Sequence, residues 1–128
     1  MSACESVRST ERWTARSYGL YIHVPFCLYK CYYCDFATSP HVPAQVDPFL
    51  ECVSREAGRY ESACPSLTSV YLGGGTPSVL SGSQMGRLLS AMRQSFDICS
   101  SAEVTVEANP ERSEEHTSEL QSRSNLVC

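Results

Sequence analysis

Cys27, Cys31 and Cys34 stand in the run Tyr21-Ile22-His23-Val24-Pro25-Phe26-Cys27-Leu28-Tyr29-Lys30-Cys31-Tyr32-Tyr33-Cys34-Asp35-Phe36, three thiols in C-x3-C-x2-C spacing. Three thiolates can hold an iron–sulfur cluster. A cubane cluster takes four cysteine ligands, so a set of three leaves one iron without a protein thiolate. A vacant coordination position marks reactivity, as in zinc sites, where closed shells are structural and open ones catalytic. Spacing alone also admits a zinc site of three cysteines completed by His23 or His41. Zinc ligands, however, usually arrive as C-x2-C pairs on separate knuckles, whereas these three thiols share one short segment. His23 reads as packed or hydrogen-bonded beside the site rather than as a ligand.

Two other features carry chemistry. The run Gly73-Gly74-Gly75-Thr76-Pro77 is either a tight turn that needs positive φ or a backbone pressed against a ligand. It is not a P-loop, since no Gly-Lys-Ser/Thr follows, and Ser78 stands where a dinucleotide fingerprint needs its third glycine. Glu107 ends an alternating segment. A carboxylate there is either solvated or available to ribose hydroxyls or an ammonium group. Asp35 and Lys30, beside the cysteines, read as solvated or structural.

These residues need elements to position them. Leu20, Ile22 and Val24 alternate with Tyr21 and His23, which predicts a strand ending at Pro25 and delivering the cysteine loop. Asp47 and Pro48 predict a helix start, with Phe49, Val53, Ala57 and Tyr60 on one face as far as about Glu61. Leu67 to Leu72 reads as a strand stopped by the glycines. Ser81 and Gln84 have capping-box spacing, and Met85, Leu88, Leu89, Met92 and Phe96 recur at helical intervals, with Gly86 the weak spot. Ala102 to Ala108 alternates again and stops at Asn109-Pro110. The order βαβαβ predicts an α/β fold with a parallel sheet and right-handed crossovers. In such folds ligands gather at the carboxyl ends of strands. The cysteine loop, the glycine run and Glu107 all fall there.

Composition sets outer bounds. The chain has 128 residues, 42% hydrophobic and 19% charged, with net charge −4. The ten basic residues are scattered, without the basic stripe that nucleic acid binding uses. Apolar runs such as Leu20 to Phe26 are far shorter than the roughly 18 residues of a membrane span. No secretory signal is visible in Met1 to Tyr18, and Glu5 and Glu11 interrupt the faint transit-peptide pattern of Arg8, Arg12 and Arg16. The expectation is a soluble, cytoplasmic protein, in whose reducing surroundings clustered cysteines bind metal rather than form disulfides. Cys4, Cys52, Cys64, Cys99 and Cys128 show no ligand spacing and read as structural or incidental.

Taken together, Tyr21-Ile22-His23-Val24-Pro25-Phe26-Cys27 with Cys31 and Cys34, Leu72-Gly73-Gly74-Gly75-Thr76-Pro77-Ser78, and Glu107-Ala108-Asn109-Pro110 resemble radical S-adenosylmethionine (radical SAM) proteins of the coproporphyrinogen-oxidase-like group. The resemblance spans residues 19–111. It implies the N-terminal βαβαβ portion of a partial (β/α)6 radical SAM barrel of about six βα units, incomplete here. It implies a 4Fe-4S cluster held by Cys27, Cys31 and Cys34, with S-adenosyl-L-methionine on the fourth iron. By the same resemblance, Gly74, Gly75 and Thr76 contact the methionine part, Glu107 the ribose or amino group, and the backbone at Tyr33 the adenine. Tyr21 and His23 line the cluster's surroundings. The group's oxidase branch carries another cysteine two residues after the third. This chain has Phe36 there, which resembles the haem chaperone branch, whose full-length members bind haem and deliver it to acceptor proteins. The oxidase and a zinc-binding module remain the alternatives.

Arg112 to Ser122 reads Arg-Ser-Glu-Glu-His-Thr-Ser-Glu-Leu-Gln-Ser and resembles the conceptual translation of a widely used short-read sequencing adapter. The expected organisation is therefore a flexible N-terminal extension (1–18), the first half of a radical SAM core (19–111) and a non-native tail (112–128). On that reading the parent protein is longer, the last strand is an unpaired edge, and the chain alone is inactive.

Overall fold

The computed structural model describes residues 18–60 and 66–109, and the backbone of 125–127. Its sheet is parallel throughout, in the order β1-β4-β5-β6: β1 (Tyr18–Val24), β4 (Leu67–Gly74), β5 (Ile98–Glu107) and β6 (Asn125–Val127). Helix α1 (Pro43–Tyr60) connects β1 to β4, and α2 (Gly82–Ser95) connects β4 to β5. Between β1 and α1 a small parallel pair, β2 (Phe26–Cys27) and β3 (Ser39–Pro40), closes the cysteine loop at its base.

Strand alternation sorts the side chains onto two faces. Ile22, Val24, Val70, Leu72 and Val106 are buried with Val46, Leu50 and Ala57 of α1 and Met85, Leu88 and Met92 of α2 in one apolar cluster. Tyr21, His23, Tyr71, Gly73, Thr105 and Glu107 occupy the alternate positions, on the opposite face. Register carries Tyr21 beside Tyr71 and Tyr71 beside Thr105. One face thus makes the core and the other presents polar and aromatic groups.

Helix α2 forms as its sequence predicts. The Ser81 hydroxyl accepts from the Gln84 amide at 3.2 Å and the Gln84 side chain accepts from the Ser81 amide at 3.0 Å, a complete capping box. Helix α1 corrects the expected start at Asp47. It begins at Pro43, where the proline's fixed φ and missing N–H suit the first position, and Gln45 N–H donates back to Val42 at 2.9 Å. Pro48 lies inside the helix, where it forfeits a backbone bond at a cost of about 3 kcal/mol. Burial of Val46 and Leu50 on either side of it offsets that loss. Asp47 instead pairs with Arg87 of α2 at 2.7 Å. The predicted α1 face is correspondingly rotated: Ala57 is buried, Phe49 and Val53 are partly so, and Tyr60 is 50% exposed.

The far edge of β5 is not unpaired, contrary to expectation, because β6 aligns Asn125, Leu126 and Val127 with Thr105, Val106 and Glu107. A parallel edge offers free backbone donors and acceptors that any extended segment can use. Arg112 to Ser122 lies outside the described residues, as do Met1 to Ser17 and Cys4, Cys64 and Cys128. Of the remaining non-clustered cysteines, Cys99 is buried in β5 and Cys52 is exposed on α1. No helix among the described residues is long and apolar enough to cross a membrane.

Candidate functional site

The cysteine loop leaves the carboxyl end of β1 and is pinned where it starts and ends. Ser39 N–H donates to Pro25 and His41 N–H to Cys27, both at 2.8 Å. Buried Phe26 anchors this base by packing edge-on against Phe49, with ring centroids 5.2 Å apart. Beyond the base, Leu28, Tyr29, Tyr32, Tyr33 and Phe36 are exposed. Cys34 N–H closes a turn onto Cys31 at 3.1 Å. The Tyr33 phenol is pushed above its ordinary value, first by its hydrogen bond with Cys31, then by that thiol's charge, with burial and Cys34 adding less.

Cys27, Cys31 and Cys34 are free thiols. Among the described residues no three cysteine, histidine or acidic side chains are gathered closely enough to hold a metal ion as they stand. The donors nonetheless suit a soft metal or an iron–sulfur group in type, and all three line one cleft. His23 is the hydrogen-bonded neighbour expected. Its Nε2–H donates to the Ala37 carbonyl at 2.8 Å, which leaves Nδ1 to accept from the Tyr21 hydroxyl at 3.2 Å. Both ring nitrogens of His23 are thus engaged within the chain. His41 packs its ring edge-on against Phe26.

The glycine turn is compact for reasons inside the chain. Gly74 has φ 110°, in the region that favours glycine, and a Cβ there would lie 2.5 Å from the His23 ring. A Cβ on Gly75 would lie 2.6 Å from the Pro25 carbonyl. This close approach lets Gly75 N–H donate to Val24 and Thr76 N–H to Phe26, both at 2.8 Å. The Thr76 hydroxyl then donates to Cys27 Sγ at 3.7 Å, which joins the glycine turn to the first cysteine. Both sequence readings of the run therefore keep force, because the turn needs its glycines and also faces the cleft.

Glu107 closes the third side. Its Oε1 accepts from the Tyr71 hydroxyl at 2.7 Å and its Oε2 from Gly74 N–H at 3.0 Å. The Tyr71 phenol is pushed above its ordinary value, chiefly by that hydrogen bond and then by burial and the charges of Glu107 and Tyr21. Asn109 N–H donates to Ser78 at 3.3 Å and so ties the segment after β5 to the one after β4.

A cleft of about 380 Å³ lies between these parts, lined by Cys27, Cys31, Tyr33, Cys34, Gly74, Gly75, Thr76 and Glu107. Eight of the ten residues singled out in the sequence meet there. Tyr21 and His23 do not: both lie on the face of β1 opposite the core, with Tyr21 stacked on Tyr71 at a centroid distance of 5.9 Å. Tyr71 is the residue of the site that the sequence reading does not single out. The signal for Tyr71 was its parity, two residues before Gly73 on the same face. A wider groove of about 810 Å³ runs between α1 and α2, but its arginines are engaged locally, Arg87 with Asp47 and Arg55 with Cys52.

A helix-backed parallel sheet whose strand ends carry a three-cysteine loop, a glycine turn and a carboxylate is part of an incomplete radical SAM-type barrel, to which β1, β4 and β5 contribute among the described residues. No family model matches the chain. It is 44% identical over 90 residues to the haem chaperone HemW of Lactococcus lactis, covering 70% of this chain and 23% of that protein. Against HemW of Mycobacterium tuberculosis it is 43% identical over 103 residues, covering 73% and 25%. Among solved structures, coproporphyrinogen III oxidase (HemN) from Escherichia coli, described as a radical SAM enzyme, superposes with a TM-score of 0.76 at 27% identity, covering 90% of this chain and 28% of that one. The chain belongs to the HemN-like and HemW group of radical SAM proteins. It spans about a quarter of the length of the relatives it matches.

Proposed function

We propose that this chain is the cluster- and S-adenosylmethionine-binding part of a haem chaperone. The observation that carries the proposal is the shared cleft, in which three free thiols on one loop face Gly74, Gly75, Thr76 and Glu107. Cys27, Cys31 and Cys34 would hold the 4Fe-4S cluster. When bound, that group supplies an electron for reductive cleavage of the S-adenosylmethionine sulfonium. The glycine turn and Glu107 would take the methionine and ribose or amino parts, the Tyr33 backbone the adenine, and Tyr21 would act from the cleft's periphery through His23. Residues 19–111 would form the authentic core segment, with 1–18 an extension and 112–128 adapter-derived. Haem, and the acceptor proteins that receive it, would bind the full-length parent, in the cytoplasm.

Phe36 and the HemW names of the relatives at 43–44% identity favour the chaperone. The likeness to HemN supports the second reading, an oxygen-independent coproporphyrinogen III oxidase. The full-length protein distinguishes them after anaerobic reconstitution. Transfer of haem to an acceptor without decarboxylation of coproporphyrinogen III is expected, and decarboxylation would overturn the assignment. Iron and sulfide in near-equal amounts are expected in the purified protein; zinc without sulfide would instead establish the zinc-binding alternative.

A further inference from the structure

Glu107 is already engaged by the chain. Its two oxygens accept from different donors, the Tyr71 phenol at 2.7 Å and the Gly74 amide at 3.0 Å. Two bonds on separate oxygens fix both the position and the rotation of the carboxylate plane. An ionised carboxylate has about four acceptor sites, so about two stay available to a ligand.

The neighbours are arranged around this contact. Gly74 holds φ 110°, and its amide is the one bonded to Oε2. A Cβ on Gly73 would lie 3.0 Å from the Glu107 carboxylate and 2.7 Å from the Tyr71 ring, so the absence of a side chain there lets the three meet. The Tyr71 ring is held by its stack on Tyr21, whose rings are 24° from parallel. Tyr21 bonds His23, and His23 bonds the Ala37 carbonyl of the cysteine loop. Tyr71 therefore stands between the carboxylate and a chain of contacts that reaches the loop.

We infer that Tyr71 is a positioning residue for S-adenosylmethionine: with the Gly74 amide it clamps Glu107 in one orientation, with Gly73 as the position that must stay without a side chain. The inference rests on the proposed reading of the cleft and adds a residue outside its lining. Tyr71 touches no ligand itself and acts through Glu107. The clamp makes the carboxylate a fixed acceptor and spares the ligand the cost of ordering it.

The test is a double-mutant cycle in the full-length protein after anaerobic reconstitution, with S-adenosylmethionine binding measured by calorimetry. Tyr71→Phe keeps the ring stack and removes only the hydroxyl. It is expected to weaken binding about fivefold to tenfold, the net scale of one ordinary hydrogen bond. In a Glu107→Gln background, the same change is expected to cost less than about twofold, since coupled residues are non-additive. Iron and sulfide content should match the wild type, and hydrogen exchange at the Gly74 amide should speed up without any ligand. Unchanged affinity in Tyr71→Phe, an equal loss in both backgrounds, or unaltered Gly74 exchange would each overturn the clamp. Wild-type protein that holds iron and sulfide but binds no S-adenosylmethionine would instead overturn the reading of the cleft itself.

Discussion

The two walls of the cleft are built differently. At the glycine–carboxylate corner, Gly74, Gly75, Thr76, Tyr71 and Glu107 are joined by hydrogen bonds of 2.7 to 3.0 Å, to one another, to the end of β1 and to β2. Opposite, the cysteine loop is held at its base, by one turn and by the His23 bond to Ala37, with Tyr32 99% exposed and its thiols not gathered. One wall is preorganised by the chain, and the other has the right donors without the right arrangement. A metal site commonly couples binding to local ordering in this way, because the ligand bonds supply the free energy that a bare loop lacks.

Replacing Cys27, Cys31 or Cys34 singly with Ser should have the largest effect on this contrast. Each variant of the full-length protein should lose nearly all its iron and sulfide, as measured after anaerobic reconstitution, yet fold as before. A cysteine variant that retains the wild-type iron content would remove that residue from the ligand set.

The corner should respond in the opposite sense, through stability. Gly74→Ala meets both the positive φ and the His23 ring, and backbone strain of this kind costs about 1–3 kcal/mol. Gly86→Ala is the internal contrast, since a Cβ at that helical position meets nothing within 4 Å. It should stabilise by about 1 kcal/mol, the difference in helix propensity. Denaturant unfolding of the two variants checks both signs.

Tyr71 offers a pH test of the same corner. Its phenol is held above the ordinary 10.0, first by the bond to Glu107. The folded state thus keeps this proton to higher pH than the unfolded chain does. The bond's contribution is full below the unfolded value and is lost as pH rises through the raised one. Glu107→Gln should lower the Tyr71 midpoint towards 10.0, read as phenolate absorbance against a Tyr71→Phe reference. The smallest effect belongs to the loop: Tyr32→Ala, at a fully exposed side chain, should change stability by less than about 0.5 kcal/mol.

Local patterns made much of this legible. The capping box of Ser81 and Gln84, the alternation of β1, and the placing of cysteines, glycines and Glu107 at strand ends needed only period and turn chemistry. Helix α1 was harder because Pro43 and Pro48 both suit a first position, and only tertiary burial of Val46 and Leu50 selects the earlier one. Strand β5 begins at Ile98 rather than Ala102 because its opening residues do not alternate, and the register with β4 is irregular there. Tyr21 shares a face with His23, but at about 3.3 Å per residue it lies too far from the strand's end to reach the cleft. The Tyr71–Glu107 contact joins residues 36 positions apart. It depends on sheet register, which no local pattern encodes.

Amide hydrogen exchange, compared before and after anaerobic iron–sulfide reconstitution of the full-length protein, tests the contrast between the walls most directly. The account predicts that amides of residues 28–38 gain protection on cluster binding, while those of Gly74, Gly75 and Thr76 are protected already and do not change. A loop equally protected without iron, or glycine amides that become protected only with the cluster, would contradict it.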